Sequence, residues 1–537
     1  MKRTLLSVIA IFAISLFSFG QHWVDQGLGW SATSRGVQNV SVASSTVAWA
    51  AGYDGSGAAA ATQDVSVTSD GGTTWTPHVI SGAAGQSISM ITAVDANNAW
   101  AALYKVSGSN LQGIYHTSDG GATWARQGTS TQFNGAASFP DIVYFWDANN
   151  GVAMGDPNPA NTKFEIYTTT DGGTTWTVVD PASLPTVTNL EYGYTSNCVV
   201  VGDNIWFGTN KGHIYHSANK GLSWTAVAPT GMTGKNTWPA MKDANNGYCL
   251  KYISTTDTVS LLDKTTDGGT TYTASTYTGQ LFNGGLDFIP GTTSTYSAHG
   301  VDGTYTDRLG IVYSWDDGAT FGSIDPDLQG TQVTCQGWLN DSVAYAGIFN
   351  TGTTDGMKKL SVPAVPAVAN FTSNTQAVAK GGQVIYTNTS TGNATSPCTY
   401  LWTFQGGTPG TSSSKNPSAI TYNTSGTFNV TLKVSNAFGS VNTLLKTGYI
   451  YVGGVGVDEL AQGGIKVYPN PVKDVMNVEA GSGMQQIQLY NITGQMVISK
   501  QVDSKTVTLN TSSLKAGIYM LKVITENGTI ERKVVVQ

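Results

Sequence analysis

TSDGGTTW, from Thr68 to Trp75, is the first of six closely similar strings whose reading decides the fold. The others are TSDGGATW (Thr117–Trp124), TTDGGTTW (Thr169–Trp176), SANKGLSW (Ser217–Trp224), TTDGGTTY (Thr265–Tyr272) and SWDDGATF (Ser314–Phe321). Their third residues are Asp70, Asp119, Asp171, Asn219, Asp267 and Asp316, spaced by 49, 52, 48, 48 and 49 residues. That period suits one four-stranded blade per repeat, and so predicts a radial array of blades. The chemistry of each string is that of a turn. The Asp or Asn oxygen can accept backbone N–H bonds, the following glycine takes φ > 0 at little steric cost, and the terminal aromatic packs between sheets. The five aspartates and the asparagine at this position are therefore structural by this reading.

A second recurring feature sets the blade count. Seven hairpins, among them VASSTVAWAAG, VDANNAWAAL, KDANNGYCLK and LNDSVAYAGI, place turn residues between short apolar runs. Seven hairpins against six strings leaves one blade without its own outer strand. HWVDQG from His22 matches TWARQG from Thr123 and reads as that missing strand, so the N-terminus is expected to complete the last blade, whose inner strands run from Val333 to about Pro363. Such closure leaves no open sheet edge. The prediction is an all-β chain with a seven-bladed β-propeller over 21–362, six or eight blades being the alternatives.

The six strings resemble the Asp-box, or BNR, repeat of sialidases, sortilin-type receptors, some xyloglucan-cleaving hydrolases and photosystem II assembly-factor-like propellers. The resemblance implies that the turns lie on one face and that a functional groove lies on the other, around the axis. The loops expected there contribute Tyr53, Tyr104, Tyr252, His299 and Arg308 as ligand-binding candidates, and Asp156, Asp302 and Asp307 as candidate carboxyl groups for a glycosidase. A sialidase resemblance implies three arginines around a substrate carboxylate, but the propeller holds Arg35, Arg126 and Arg308, and Arg126 follows Trp124 on an outer strand. Sialidase activity is therefore disfavoured. A general glycosidase needs two carboxyl groups facing each other across a scissile bond, and GDPNP at Gly155–Pro159 reads better as an Asx and proline turn.

Composition bounds the rest. The chain has 537 residues, 64 of them glycine, with 11% charged residues and a net charge of -7. This is turn-rich β composition, and the acidic balance disfavours a nucleic-acid partner. Four cysteines without C-x-x-C spacing and six scattered histidines predict no metal, and no cofactor fingerprint stands in its required context. Lys2 and Arg3 precede an apolar run from Leu5 to Phe19, with small residues Ser18 and Gly20 before Gln21. This reads as a signal peptide over 1–20, with no transmembrane segment in the mature chain.

Two further β-sandwiches follow the propeller. SVPAVPAVANF, from Ser361, has linker composition. The stretch 363–453 then resembles a PKD repeat through Trp402-Thr-Phe-Gln-Gly-Gly, Asn416-Pro417, Tyr422, Gly426 and Asn436, which implies Trp402 and Tyr422 as core residues and a spacer role. The stretch 458–537 resembles the type A C-terminal sorting domain of the type IX secretion system of Bacteroidetes. Tyr468, Pro469, Asn470 and Pro471, then Gly494, then Gly517 and Tyr519 carry that resemblance. It implies passage through Sec to the periplasm and then across the outer membrane by a translocon, ending in secretion or cell-surface attachment. The expectation is an exported protein whose propeller binds a glycan or protein ligand. The alternatives are an extracellular glycoside hydrolase and an assembly or stability factor for an envelope complex.

Overall fold

The computed structural model describes residues 22–537 apart from 136, 158–161, 233, 235, 253–260, 302, 304–305, 323, 393–397, 454–464 and 526–527. The expected signal peptide and Asp302 thus lie outside the described residues, as does the Tyr252 side chain. The described chain is built of strands, with two short 3-10 turns at Pro181–Ser183 and Thr306–Arg308.

Seven antiparallel sheets follow one another along the chain. Blade 1 runs through Arg35–Val42, Ala48–Asp54, Asp64–Thr68 and Thr76–Val79. Blades 2 to 5 repeat this order with inner strands Gln86–Ala93, Pro140–Phe145, Cys198–Val201 and Asn236–Met241. Blade 6 is the irregular one. Its three strands, Gly285–Phe288, Tyr296–Gly300 and Gly310–Ser314, form a sheet of their own, while Thr320–Phe321 pairs in parallel with Thr278–Gly279. Blade 7 takes Cys335–Asn340, Val343–Gly347 and Gly356–Leu360 from its own stretch and Trp23–Gly27 from the N-terminus. The closing strand pairs antiparallel from Trp23 opposite Leu360 to Gly27 opposite Gly356.

The period-2 alternation of short apolar runs explains why the blades stack. Trp49 and Ala51 of blade 1 join a buried cluster with Ile88, Ile91 and Leu103 of blade 2, whereas Ala48 and Ala50 join another with Tyr345 and Met357 of blade 7. Each blade thus presents one apolar face to each neighbour. Tryptophans also tether blades by hydrogen bonds. Trp49 Nε1 donates to Asp95 O at 3.0 Å, Trp100 Nε1 to Gly172 O at 3.0 Å and Trp206 Nε1 to Gly268 O at 2.8 Å.

The recurring strings occupy the turns between the two outer strands. In the first, Thr74 donates its N–H to Asp70 Oδ1 at 2.9 Å and its hydroxyl to Oδ2 at 2.7 Å, while Gly72 N–H donates to Thr68 Oγ1 at 2.8 Å. Thr123 on Asp119, Thr175 on Asp171, Thr271 on Asp267 and Thr320 on Asp316 repeat the double contact. Asn219 keeps the geometry with roles adjusted, accepting Ser223 N–H and donating Nδ2 to Ser223 Oγ. Hydrogen bonds to the charged form hold Asp70 and Asp119 down at about 2.

Two β modules complete the chain. The first buries Phe371, Tyr386, Trp402 and Tyr422, with the Tyr386 and Tyr422 hydroxyls 2.7 Å apart. The linker-like composition ahead of it does not produce a free linker. Ala364 is buried in the cluster between blades 6 and 7, and so is Phe438 from the first module. Phe438 meets His22 edge-on at 4.5 Å and Tyr313 at 5.6 Å, while Ser361 N–H donates to His22 O at 2.8 Å. The module is therefore seated on the seam where the ring closes. The last module folds long, bulged strands, Val475–Asn491 and Met496–Asn510, over a core of Met476, Ile487, Leu489, Leu521 and Val523. Asn470 pins its corner by donating Nδ2 to Lys533 O and accepting Val535 N–H. Tyr468 is half exposed, Gly494 takes φ 82° in a tight turn, Gly517 opens a strand, and Tyr519 donates its hydroxyl to Lys515 O at 2.8 Å.

Candidate functional site

Because the inner strands of all blades run beside the axis, their first residues converge at the face opposite the recurring turns. There they enclose a cavity of about 430 Å³. Its wall is assembled from Gln38 and Asn39 of blade 1, Asn197 and Cys198 at the start of blade 4, Asn236, Thr237 and Trp238 of blade 5, Asp287 and His299 of blade 6, and Cys335 and Gln336 of blade 7. A second space of about 700 Å³ opens toward the turn face, and Asp287 and Gln336 line both. These two residues form the waist of the axis.

Local geometry fixes the wall. A register shift between Val37 and Asn39 interrupts the blade 1 ladder, and the Asn39 amide bridges to blade 2, donating to Ile91 O and accepting Ile91 N–H at 2.9 Å each. Gln336 is held by Ser297 Oγ at 3.1 Å and by Trp338 Nε1 at 3.2 Å. Asn197 donates Nδ2 to Thr237 O at 2.8 Å. Its Oδ1 and the Nδ1 of His299 are buried without a hydrogen-bond partner.

The electrostatics of the wall are set by burial. Burial pushes Asp287 up to about 7, with a hydrogen bond to Gln336 pulling the other way, and pushes His299 down to about 4. At neutral pH His299 is uncharged and Asp287 is divided between its two forms. Among the described residues no lysine or arginine lines the cavity. The thiols of Cys198 and Cys335 are pushed up to about 12 by burial and are not nucleophiles.

The segment leading from blade 3 into blade 4 roofs part of the mouth. Thr195 Oγ1 accepts Gln38 Nε2 at 2.9 Å, reaching blade 1 from the far side of the axis. Ser196 donates its hydroxyl to Ser89 O at 2.6 Å and its N–H to Asp141 O at 3.3 Å. Gly193 N–H donates to Asp156 Oδ1 at 2.8 Å. Farther back, Glu191 accepts the Thr188 N–H and hydroxyl, the Thr209 hydroxyl and His213 Nδ1, the last at 2.7 Å. Burial raises Glu191, but these bonds outweigh it and leave the carboxyl below its ordinary value.

Asp156 and Asp141 share a hydrogen bond beneath this roof, and burial raises both carboxyls above the ordinary carboxylate range, Asp141 the further. Two carboxyls in one buried contact retain a proton between them. Asp156 therefore pairs with a residue of the neighbouring inner strand and anchors a loop.

The remaining candidates disperse. Among Tyr53, Tyr104, His299 and Arg308, only His299 reaches the axial cavity among the described residues. Tyr53 packs edge-on to Phe349 at 5.7 Å, and Tyr104 stacks on Phe139 at 4.3 Å. Asp307 and Arg308 line a separate groove of about 780 Å³ with Asp263 and Tyr277, between blades 5 and 6. Asn197, Asn236, Trp238, Asp287 and Asp141 were not singled out by the sequence, which offers no repeated signal at these positions. Among the described residues no cluster of His, Cys, Asp and Glu is placed to hold a metal ion, and no helix is long and apolar enough to cross a membrane.

Comparison with known proteins adds two domain assignments. The PKD domain model matches residues 369–447, and the model of the secretion system C-terminal sorting domain matches residues 466–537. No curated protein matches the chain. Among solved structures the chain is similar to YCF48 from Cyanidioschyzon merolae, at 15% identity and TM-score 0.45, covering 64% of this chain and 99% of that one. It is also similar to the GH74 xyloglucanase from Xanthomonas campestris, at 11% identity and TM-score 0.39, covering 96% and 93%. A third is PorZ, a surface component of the type-IX secretion system of Porphyromonas gingivalis, at 10% identity and TM-score 0.18, covering 96% and 100%. The chain thus joins a seven-bladed β-propeller to a PKD domain and a type IX secretion sorting domain, the last of which marks it for export to the cell surface or the medium.

Proposed function

We propose that this is a secreted or surface-attached binding protein of the Asp-box class, from a member of the Bacteroidetes, whose propeller takes a glycan or protein ligand on the face opposite its recurring turns. Residues 1–20 act as a signal peptide, 21–362 form the propeller, 363–453 the PKD module and 458–537 the sorting domain. Tyr468, Pro469, Asn470, Pro471, Gly494, Gly517 and Tyr519 belong to the sorting signal, and the type IX translocon is the export partner.

One observation carries the binding reading. The axial cavity is walled by neutral amides, hydroxyls and an indole, and Asp287 is the one carboxyl among the described residues lining it. Binding sites combine such an apolar wall with a few convergent polar groups. Hydrolysis of a glycoside needs two carboxyls across the bond.

Glycoside hydrolysis is the second reading, favoured by the raised carboxyls of Asp141 and Asp156. Against it stands their mutual hydrogen bond and the attachment of Asp156 to Gly193. The test is to incubate the purified full-length protein with plant, algal and host glycans, measuring retention and new reducing ends together. Retention without cleavage supports binding. Turnover abolished by Asp156→Asn overturns it. A pull-down from intact envelopes that captures one stoichiometric protein complex, with no glycan retained, assigns the assembly-factor role instead.

A further inference from the structure

The cavity wall says more about its ligand than that one is bound, and this inference rests on the binding reading above. Three polar atoms of its lining residues lack partners, Asn197 Oδ1, His299 Nδ1 and Thr334 Oγ1, and the first two belong to side chains almost wholly buried. Asn197 is 1% exposed and His299 4% exposed. The Asn197 amide cannot swing away to find water, because its Nδ2 is engaged by Thr237 O. Leaving a buried polar atom unbonded costs about 1–3 kcal/mol, so their concentration in residues lining one cavity points to a surface shaped for an external hydrogen-bonding group.

The chemistry of that group follows from what the wall offers. Asn197 Oδ1 accepts only, so the ligand must donate. His299 is neutral at pH 7, and its Nδ1 donates or accepts according to tautomer. Hydroxyl groups satisfy both, since each donates and accepts. Among the described lining residues an anionic ligand finds no lysine or arginine and meets Asp287. A free amino acid or peptide terminus is disfavoured for the same reason, its carboxylate meeting no cation among the described residues. Trp238 supplies the aromatic surface on which the C–H face of a sugar ring can rest. The volume, about 430 Å³, falls at the lower end of the ~300–1,000 Å³ of small-molecule sites, which suits one or two rings rather than a long chain.

We propose that the axial cavity is a neutral-sugar site, in which Asn197 Oδ1 and His299 Nδ1 bond ring hydroxyls and Trp238 forms the apolar wall. A longer glycan would enter by its terminal residue, past the Gly193–Ser196 roof.

The experiment uses the full-length protein without residues 1–20 and the probes D-glucose, D-galactose, D-mannose, D-xylose, N-acetylglucosamine and their β-linked dimers, with adenosine and uridine as a second neutral class. Saturation-transfer NMR identifies a binder and calorimetry measures it. At least one sugar is expected to saturate the protein, and Asn197→Leu and His299→Phe, which remove the bonding atoms at similar size, should each weaken it about tenfold, the loss of one good hydrogen bond. Asn236→Ala changes the wall on a strand edge that keeps its ladder, so it tests the cavity even if the buried variants unfold. Three results overturn the proposal: no sugar bound at about 10 mM, a nucleoside bound in their place, or sugar affinity unchanged in all folded variants. Retention of a polysaccharide or an envelope protein without any of these small sugars overturns the cavity assignment and leaves the binding reading standing. Failure of both assays removes both.

Discussion

The rim and the axis of this propeller use the same residue types to opposite ends. At the rim, Asp70, Asp119, Asp171, Asp267 and Asp316 each satisfy a carboxylate with bonds from a threonine four residues on, and their acidity rises. At the axis burial disfavours the charged forms instead, raising Asp287 and lowering His299, and His299 and Asn197 leave atoms unbonded. The rim carboxylates recur with the repeat and are saturated by local donors. The axis differs from blade to blade, and its titratable groups are not. A carboxylate repeated with the fold's own period holds the fold, whereas a titratable group that breaks the period marks where the fold meets something else.

That contrast breaks most readily through the packing behind the rim. Trp100→Ala removes an indole that stacks on His116 and Phe145 and bonds Gly172 O, and should cost about 3–5 kcal/mol in denaturant unfolding while leaving ligand affinity unchanged. Lost affinity at intact stability would reverse the assignment of the two regions.

The next test lies at the axis. A carboxyl whose folded pKa is raised binds more protons folded than unfolded between about 4 and 7, so its contribution is greatest below the unfolded value and is lost as pH rises through about 7. Asp287→Asn should therefore stabilise the protein by about 1–3 kcal/mol at pH 8 and hardly at all at pH 4, read as the difference between urea midpoints. Equal effects at both pH values would remove burial as the cause.

Two smaller effects sharpen the comparison at the rim. Asp316→Ala, which strips acceptors from Thr320 and Ser314, should cost about 1 kcal/mol at pH 7 with no change in binding. Asp119 has its pKa lowered, so its contribution is present above about 4 and lost as pH falls through about 2. In Asp119→Asn, that acid-dependent increment should vanish from the unfolding curve, and its persistence would assign it elsewhere.

The periodic part of this molecule was legible in sequence, because a turn is encoded within eight consecutive residues and its recurrence counts blades. The closing strand was legible for the same reason, since HWVDQG repeats a phrase found at an outer-strand position. The two C-terminal modules carry their own local phrases and were readable by them. The axial site was largely hidden. Its wall takes up to three side chains from each of several strands as far apart as Gln38 and Gln336, so no local window contains it. Tyr53 and Tyr104 lie near the ends of strands Ala48–Asp54 and Ala99–Lys105 rather than on loops, and they turn to Phe349 and Phe139, a choice made by tertiary packing. Likewise, the proline and alanine content after Lys359 reads as a tether until Phe438 is seen wedged beside His22.

The seam between Trp23 and Leu360 gives the protein a timetable. A chain emerging from a membrane channel N-terminus first holds its first strand unpaired until the last blade arrives, and a fragment stopped short of Leu360 exposes raw β-edge at both ends. Phe438, bearing on His22 from the following module, adds a later stage still. Proteolytic resistance should therefore appear late and abruptly in a series of C-terminally shortened chains, which makes the joint a natural checkpoint between a finished exported product and an abortive one.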